Sequence, residues 1–132
     1  MSKIIIASGP VIVENGKVLL NQHGDDKFWK FCGGRVEDGE INLKKVAQRE
    51  VAEEMGLKVE IIDQKPFFVY TEKEIDGQVM SVVFVHWLSK RLNEVSPGSD
   101  IKKWDWLSLE DLNQEDLAPN IKPTLKHFGF LS

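Results

Sequence analysis

Gly33-Gly34-Arg35-Val36-Glu37-Asp38-Gly39-Glu40 runs directly into INLKKVAQREVAEEMGL, residues 41–57, and the reading of this stretch decides the rest. Its second half has the marks of a helix. Asn42 is a good N-cap. Leu43, Val46, Ala47, Val51 and Met55 recur at helical spacing, and Gly56 stands where a C-terminal glycine stops a helix. On that helix Glu50, Glu53 and Glu54 are spaced i, i+3, i+4. At about 100° per residue they share one face, within reach of a single bound object.

Such crowding is unfavourable without a partner. Like charges at these spacings each cost roughly a few tenths of a kcal/mol, and more where the face is desolvated. Glu53 and Glu54 also lie late in the helix, towards the negative end of its dipole. Arg49 can pair with Glu53 along the helix, but one cation does not neutralise three carboxylates. Hard divalent cations do: Mg²⁺ and Mn²⁺ take carboxylate oxygens and water, and bring substrate phosphates with them. The alternative is a solvated acidic face with weak ion pairs.

The glycine-rich run before the helix tips that balance. The whole stretch resembles the Nudix box, G-x5-E-x7-R-E-U-x-E-E-x-G-U with U aliphatic. Gly34 and Glu40 match its first half; Arg49, Glu50, Val51, Glu53, Glu54, Gly56 and Leu57 match its second. One departure is plain: eight residues, 41–48, separate Glu40 from Arg49 where the pattern has seven. The extra residue is placed at Ile41, before the Asn42 cap, because the helix beyond is in register. The aromatic lead-in and the segment DIKKWDWLSLEDL, residues 100–112, resemble the small, MutT-like members of the same family.

Composition sets outer bounds. The 132 residues suit one domain over 1–132, able to bury roughly two thirds of its unfolded surface. A net charge of −4 gives no basic footprint for a nucleic-acid duplex and argues against a membrane surface. Cys32 is the single cysteine, so no intrachain disulfide forms and a reducing compartment fits. MSKIIIASGP lacks the layout of a signal peptide, and no stretch approaches a membrane span in length, so a cytoplasmic protein is expected.

Taken in order, residues 3–13 read as a strand broken at Gly9-Pro10, and Asn15-Gly16 as the tight turn into a partner strand at 18–20. Residues 21–27 read as a loop. After the helix come a short strand at 58–63 and a long hairpin, 66–74 and 78–90, about Asp76-Gly77. The second hairpin strand is apolar at both parities, with Val79, Val83, Val85 and Trp87 on one and Met80, Val82, Phe84 and Leu88 on the other. A strand apolar on both sides is covered on both faces, which makes it central. A last strand at 100–108, a short helix at 109–114 and a terminal helix at about 121–128 with Pro123 in its first turn complete the chain. This order suggests an α/β fold with a mixed sheet sandwiched by helices, as the resemblance also implies.

The resemblance implies hydrolysis of a diphosphate bond in a nucleoside diphosphate linked to another group, such as a nucleoside triphosphate, nucleotide sugar or dinucleoside polyphosphate. It implies Mg²⁺ or Mn²⁺ held by the Gly33 carbonyl with Glu50, Glu53 and Glu54. Glu53 is the candidate base, with a loop acid as the other possibility, Arg49 the arginine that orients a glutamate, and Glu40 its loop partner. For Arg49 and Glu40 the alternative, a structural salt bridge, nearly coincides with the family role. Gly34, Arg35 and Asp100 are candidates for substrate contact. Asp100 is also the loop acid that would face the metals, or else a turn aspartate after Pro97-Gly98-Ser99.

Other residues carry blander readings. Phe68, Tyr70 and Phe84 can stack on a base but read more readily as core. Trp104 and Trp106 share a face and read as packing. His23 and His127 have no ligand-spaced companion, and His86 reads as a satisfied interior histidine. Cys32 stands where the family commonly has proline and reads as a small buried residue. Lys30, Arg35 and Lys102 are candidates for phosphate contact or plain solvated charge. A nucleotide-sensing module that does not cleave, and a prenyl diphosphate isomerase on the same fold, are the other functions weighed. A homodimer through an exposed strand or helix is left open.

Overall fold

The computed structural model describes residues 4–132, so Lys3, where the first strand is expected to begin, lies outside the described residues. Among these residues the chain forms β1 (Ile4–Glu14), β2 (Lys17–His23), β3 (Gly34–Arg35), α1 (Leu43–Met55), β4 (Val59–Ile61), β5 (Phe67–Ile75), β6 (Gln78–Arg91), β7 (Ile101–Ser108), a 3₁₀ turn (Leu109–Gln114) and α2 (Ile121–His127). The mixed sheet has the order β4-β6-β1-β2-β7, with β3 on β1 and β5 on β6. The β1–β6 pair is parallel and the remaining pairs are antiparallel. This is the α/β architecture read from the sequence.

Both tight turns form as their dipeptides dictate. Asn15 and Gly16 have φ of 52° and 74°, and Asp76 and Gly77 have 51° and 79°, the two positive values that a two-residue turn with right-handed strand twist requires. β6 is central, with β1 along one edge and β4 and β5 along the other. Its two apolar parities divide as expected. Val83, Val85 and Trp87 pack with Ile6, Leu43 and Ala47 under α1, whereas Phe84 and His86 turn towards Phe31 on the other face.

β1 corrects one expectation: it is not broken at Gly9-Pro10. Its parallel ladder to β6 runs without interruption from Ile4 to Ile12. Pro10 lies between the segment paired with β3 and the segment paired with β2, where the far edge of β1 carries no ladder. Gly9 marks a close approach instead. A Cβ there would run into the Cys32 carbonyl, and a Cβ on Gly33 would sit 2.7 Å from the Ser8 oxygen.

α1 starts and stops where its caps say. The Asn42 side chain accepts a hydrogen bond from the Lys45 N–H at 3.1 Å, and Gly56, at φ 63°, donates to Ala52 O. Val46, Ala47, Val51 and Met55 are buried. The last carbonyls of α1 are claimed by the loop before β7: Ser96 N–H donates to Met55 O and Gly98 N–H to Glu54 O, each at 2.8 Å. Ser8 pins the other end, donating to Leu43 O at 2.7 Å while accepting from Trp87 Nε1.

Three blander readings also meet the structure. Trp104 and Trp106 pack together against Leu19 and Val51, as their shared face implies. Phe68 and Tyr70 are not core: they are 56% and 64% exposed. They lie near the edge of the α1 face, on a strand paired along β6 alone. His86 is buried but only half satisfied. Its Nε2 lies 3.1 Å from Asn120 Nδ2, and its Nδ1 has no partner among the described residues.

Two stability tests follow from these contacts. Asn42→Ala removes the cap of α1 and lowers unfolding free energy by about 1 kcal/mol in urea titration. Burial pulls the His86 pKa down to about 4, so the unfolded chain takes up a proton that the folded one refuses. Its contribution is intact above pH 6.5 and is lost as pH falls towards 4. Between pH 6.5 and 5 the parent loses about 1–2 kcal/mol relative to His86→Leu, read from urea midpoints at both pH values.

Candidate active site

Cys32, Gly33 and Gly34 pass between β1 and α1 with no room for side chains at the glycines. A Cβ on Gly34 would collide with the Glu50 carboxylate, and Gly33 has φ 142°, which favours glycine. The two glycines therefore form a seam against which α1 lays its acids. On the helix, the buried stripe of Val46, Ala47, Val51 and Met55 carries Glu50 and Glu54 partway under this seam.

The three glutamates do not end up equivalent. The side chains of Glu50 and Glu54 are 15% and 10% exposed, whereas Glu53 is 59% exposed. Arg49 gathers one side of the cluster. It donates to both Glu40 oxygens at 2.8 and 3.0 Å, to Glu50 at 3.0 Å, and to Glu53 at 3.3 and 3.4 Å. The additional residue between Glu40 and Arg49 leaves this pairing intact, because Ile41 bulges fully into solvent ahead of the cap.

Glu54 is held separately. The Gly33 N–H donates to its Oε1 at 2.8 Å, and His23 Nε2 lies 2.5 Å from its Oε2. Among the described residues, no three His, Cys, Asp or Glu side chains are gathered into a ready-made ion cage. Arg49 holds Glu50 and Glu53, while Gly33 and His23 hold Glu54.

The electrostatics follow burial. Burial pushes the Glu54 carboxyl up to about 7, against the opposing pull of the Gly33 N–H. Burial also raises Glu50, with Arg49 acting the other way. Glu40 goes down, held first by the Glu37 N–H and then by Arg49. Burial, and then Lys30, pull His23 below its ordinary value. Two carboxylates thus sit where ionisation is disfavoured, and among the described residues Arg49 is the one arginine that touches the cluster.

On the opposite face of the sheet a cavity of about 400 Å³ opens beside the same glycines. Gly33, Gly34, Lys30 and Arg35 line the end near the acids; Phe28, Phe31, Phe84, His86 and Asn120 line the far end. Its size is that of a small-molecule site. Lys30 also pairs with Asp26 at 2.9 Å.

Most sequence candidates thus meet around one seam: Glu40, Arg49, Glu50, Glu53 and Glu54 on one side, Gly33, Gly34 and Arg35 bordering the cavity. Asp100 is exposed in the loop tied to the end of α1, and its carbonyl accepts from the Gly24 N–H at 3.4 Å. Lys102 is exposed and does not line the cavity. Cys32 is buried, accepts a hydrogen bond from Asn21 Nδ2 at 3.4 Å, and is pushed well above its usual pKa by burial. It is inert packing. His23, set aside in the sequence for want of a ligand-spaced companion and expected in a loop, instead ends β2 and meets Glu54 on α1, and Asn120, which no motif marks, meets His86 where α2 docks.

Comparison with known proteins agrees with the fold. The chain is 27% identical over 129 residues to the 8-oxo-dGTP diphosphatase of Escherichia coli (strain K12), covering 95% of each chain. It is 26% identical over 134 residues to the nucleoside triphosphatase NudI of Enterobacter sp. (strain 638), covering 92% of this chain and 94% of that one. The solution structure of the E. coli ORF135 protein superposes with a TM-score of 0.70 at 26% identity, over 96% of this chain and 89% of that one. The sequence profile of the NUDIX domain matches residues 5–128, so the chain belongs to the Nudix family of hydrolases.

Proposed function

We propose that residues 1–132 act as one divalent-metal-dependent hydrolase domain that cleaves a phosphoanhydride bond of a nucleoside triphosphate. The observation that carries this reading is the Gly33-Gly34 seam, which is at once the wall of the cavity and the surface on which Glu50 and Glu54 rest. A nucleoside in the cavity, with its base among Phe31, Phe84 and Asn120, sends its phosphates past Lys30 and Arg35 towards α1. The names of the relatives point the same way, since they are a diphosphatase of one nucleoside triphosphate and a nucleoside triphosphatase.

The donor set fits Mg²⁺ or Mn²⁺. It offers hard carboxylate oxygens in excess of the cations that touch them, and burial disfavours in two of these carboxylates the ionised form that a bound cation would restore. Glu50, Glu53, Glu54 and the Gly33 carbonyl would hold it. When bound, the ion neutralises charge on the phosphate oxygens and lowers the pKa of a water.

The rest is the work of this chain's own side chains. Glu53, the exposed member of the cluster, takes the proton of the attacking water as the bridging P–O bond breaks. Arg49 orients Glu50 and Glu53, and Glu40 anchors Arg49 with two hydrogen bonds. The closed, aromatic far end of the cavity excludes water from the base. The net negative charge leaves a small nucleotide, rather than a nucleic-acid duplex, as the partner.

A panel of nucleoside triphosphates, nucleotide sugars and dinucleoside polyphosphates, run with Mg²⁺ and with chelator, tests this reading. Turnover of a triphosphate that chelator abolishes is the expected result; nucleotide binding without turnover across the panel would instead make the chain a sensor. Glu53→Gln and Glu54→Gln lower kcat by roughly 10²–10⁴-fold while thermal unfolding stays cooperative. Parent-like turnover in either variant removes that residue from the chemistry.

A further inference from the structure

His23 ends β2, and the β2–β7 ladder slips by one residue there: Gln22 pairs with Lys103, but His23 pairs with Ile101. The extra residue, Lys102, is on β7, so the slip leaves the facing of His23 unchanged; bulges of this kind recur beside active sites. His23 keeps the parity of Leu19 and Asn21, which packs it on the α1 side of the sheet. Its imidazole reaches Glu54, on a distant element, and stands 2.5 Å from Oε2.

The other Glu54 oxygen is held by the Gly33 N–H at 2.8 Å. The carboxylate is therefore gripped at both oxygens, from the end of β2 and from the seam leading to β3. Neither grip exhausts it. An ionised carboxylate has about four lone-pair positions, so two donors leave roughly one on each oxygen. With the side chain 10% exposed, Glu54 cannot find another arrangement in water.

We propose that His23 is a positioning residue, whose Nε2–H fixes the orientation of Glu54 so that its remaining lone pairs are presented to a divalent cation. This rests on the reading of Glu54 as a metal ligand. A carboxylate ligand restrained by hydrogen bonds loses less freedom when the ion arrives, and outer partners of this kind are worth roughly 10–100-fold in metal affinity. The role needs a donor N–H at this place, not an imidazole as such. Glutamine, which keeps a donor at similar reach, should therefore substitute where leucine does not.

The test is Mn²⁺ titration, with free ion read by electron paramagnetic resonance, on the parent, His23→Gln and His23→Leu. Thermal unfolding of each in chelator checks the fold. His23→Leu should bind Mn²⁺ roughly 10–100-fold more weakly than the parent and unfold cooperatively in chelator, with His23→Gln within about threefold of the parent. Parent-like binding by His23→Leu overturns the proposal. Equal loss in His23→Gln and His23→Leu also overturns it, and makes the imidazole itself a ligand. A parent that binds no Mn²⁺ brings down the metal reading and this inference together, which separates that failure from the other two.

Discussion

Everything in this molecule turns on how closely the Cys32–Gly34 segment passes between β1 and α1. Gly9 on the strand and Gly33 on the segment meet with backbone against backbone, and Gly34 leaves its side-chain space to the Glu50 carboxylate. A Cβ at Gly9 or Gly33 would push the segment off β1, and one at Gly34 would displace the Glu50 carboxylate. The close passage brings Glu50 and Glu54 of the helix into a partly dry environment, and it makes the same segment the edge of the cavity. Charge cluster and cavity are joined by backbone, not by a flexible side chain.

That joining has an electrostatic consequence. A carboxylate at 10% exposure with another carboxylate one helical turn away is held in its charged form only weakly, and burial outweighs the Gly33 N–H that favours the anion. Arg49 neutralises the outer side of the cluster while Glu54 is left to uncharged donors and His23. Burial thus disfavours ionisation at Glu50 and Glu54, and Arg49 offsets this only on the Glu50 side. Stability has been given up locally for a site, and α1 tolerates this because its caps, its buried stripe and the loop at 96–98 anchor it at both ends.

Local chemistry was legible in the chain. Asn42, Gly56, Asn15-Gly16 and Asp76-Gly77 act within a few residues of themselves, so their effects could be read directly. The double apolar parity of β6 likewise reported its central place. What escaped was contact between distant segments. Pro10 reads as a strand breaker until the sheet shows that its far edge has no ladder to lose. Which of the three glutamates stays exposed shows only when the seam covers Glu50 and Glu54 and leaves Glu53 outside. His23 has no partner at any ligand spacing because its partner is on another element, and Asn120 meets His86 only when α2 docks. Phe68 and Tyr70 read as core because aromatic residues in strands usually are, but both are exposed on β5.

The most direct test of the account is a crystal grown with Mn²⁺ and a non-hydrolysable nucleoside triphosphate, with anomalous scattering used to place the ion. The account predicts an anomalous peak within bonding distance of Glu50 and Glu54, next to the phosphates, with the base in the cavity between Phe84 and Asn120. Nucleotide in the cavity with no ion on α1, and with Glu50 still on Arg49 and Glu54 still on His23, would contradict it.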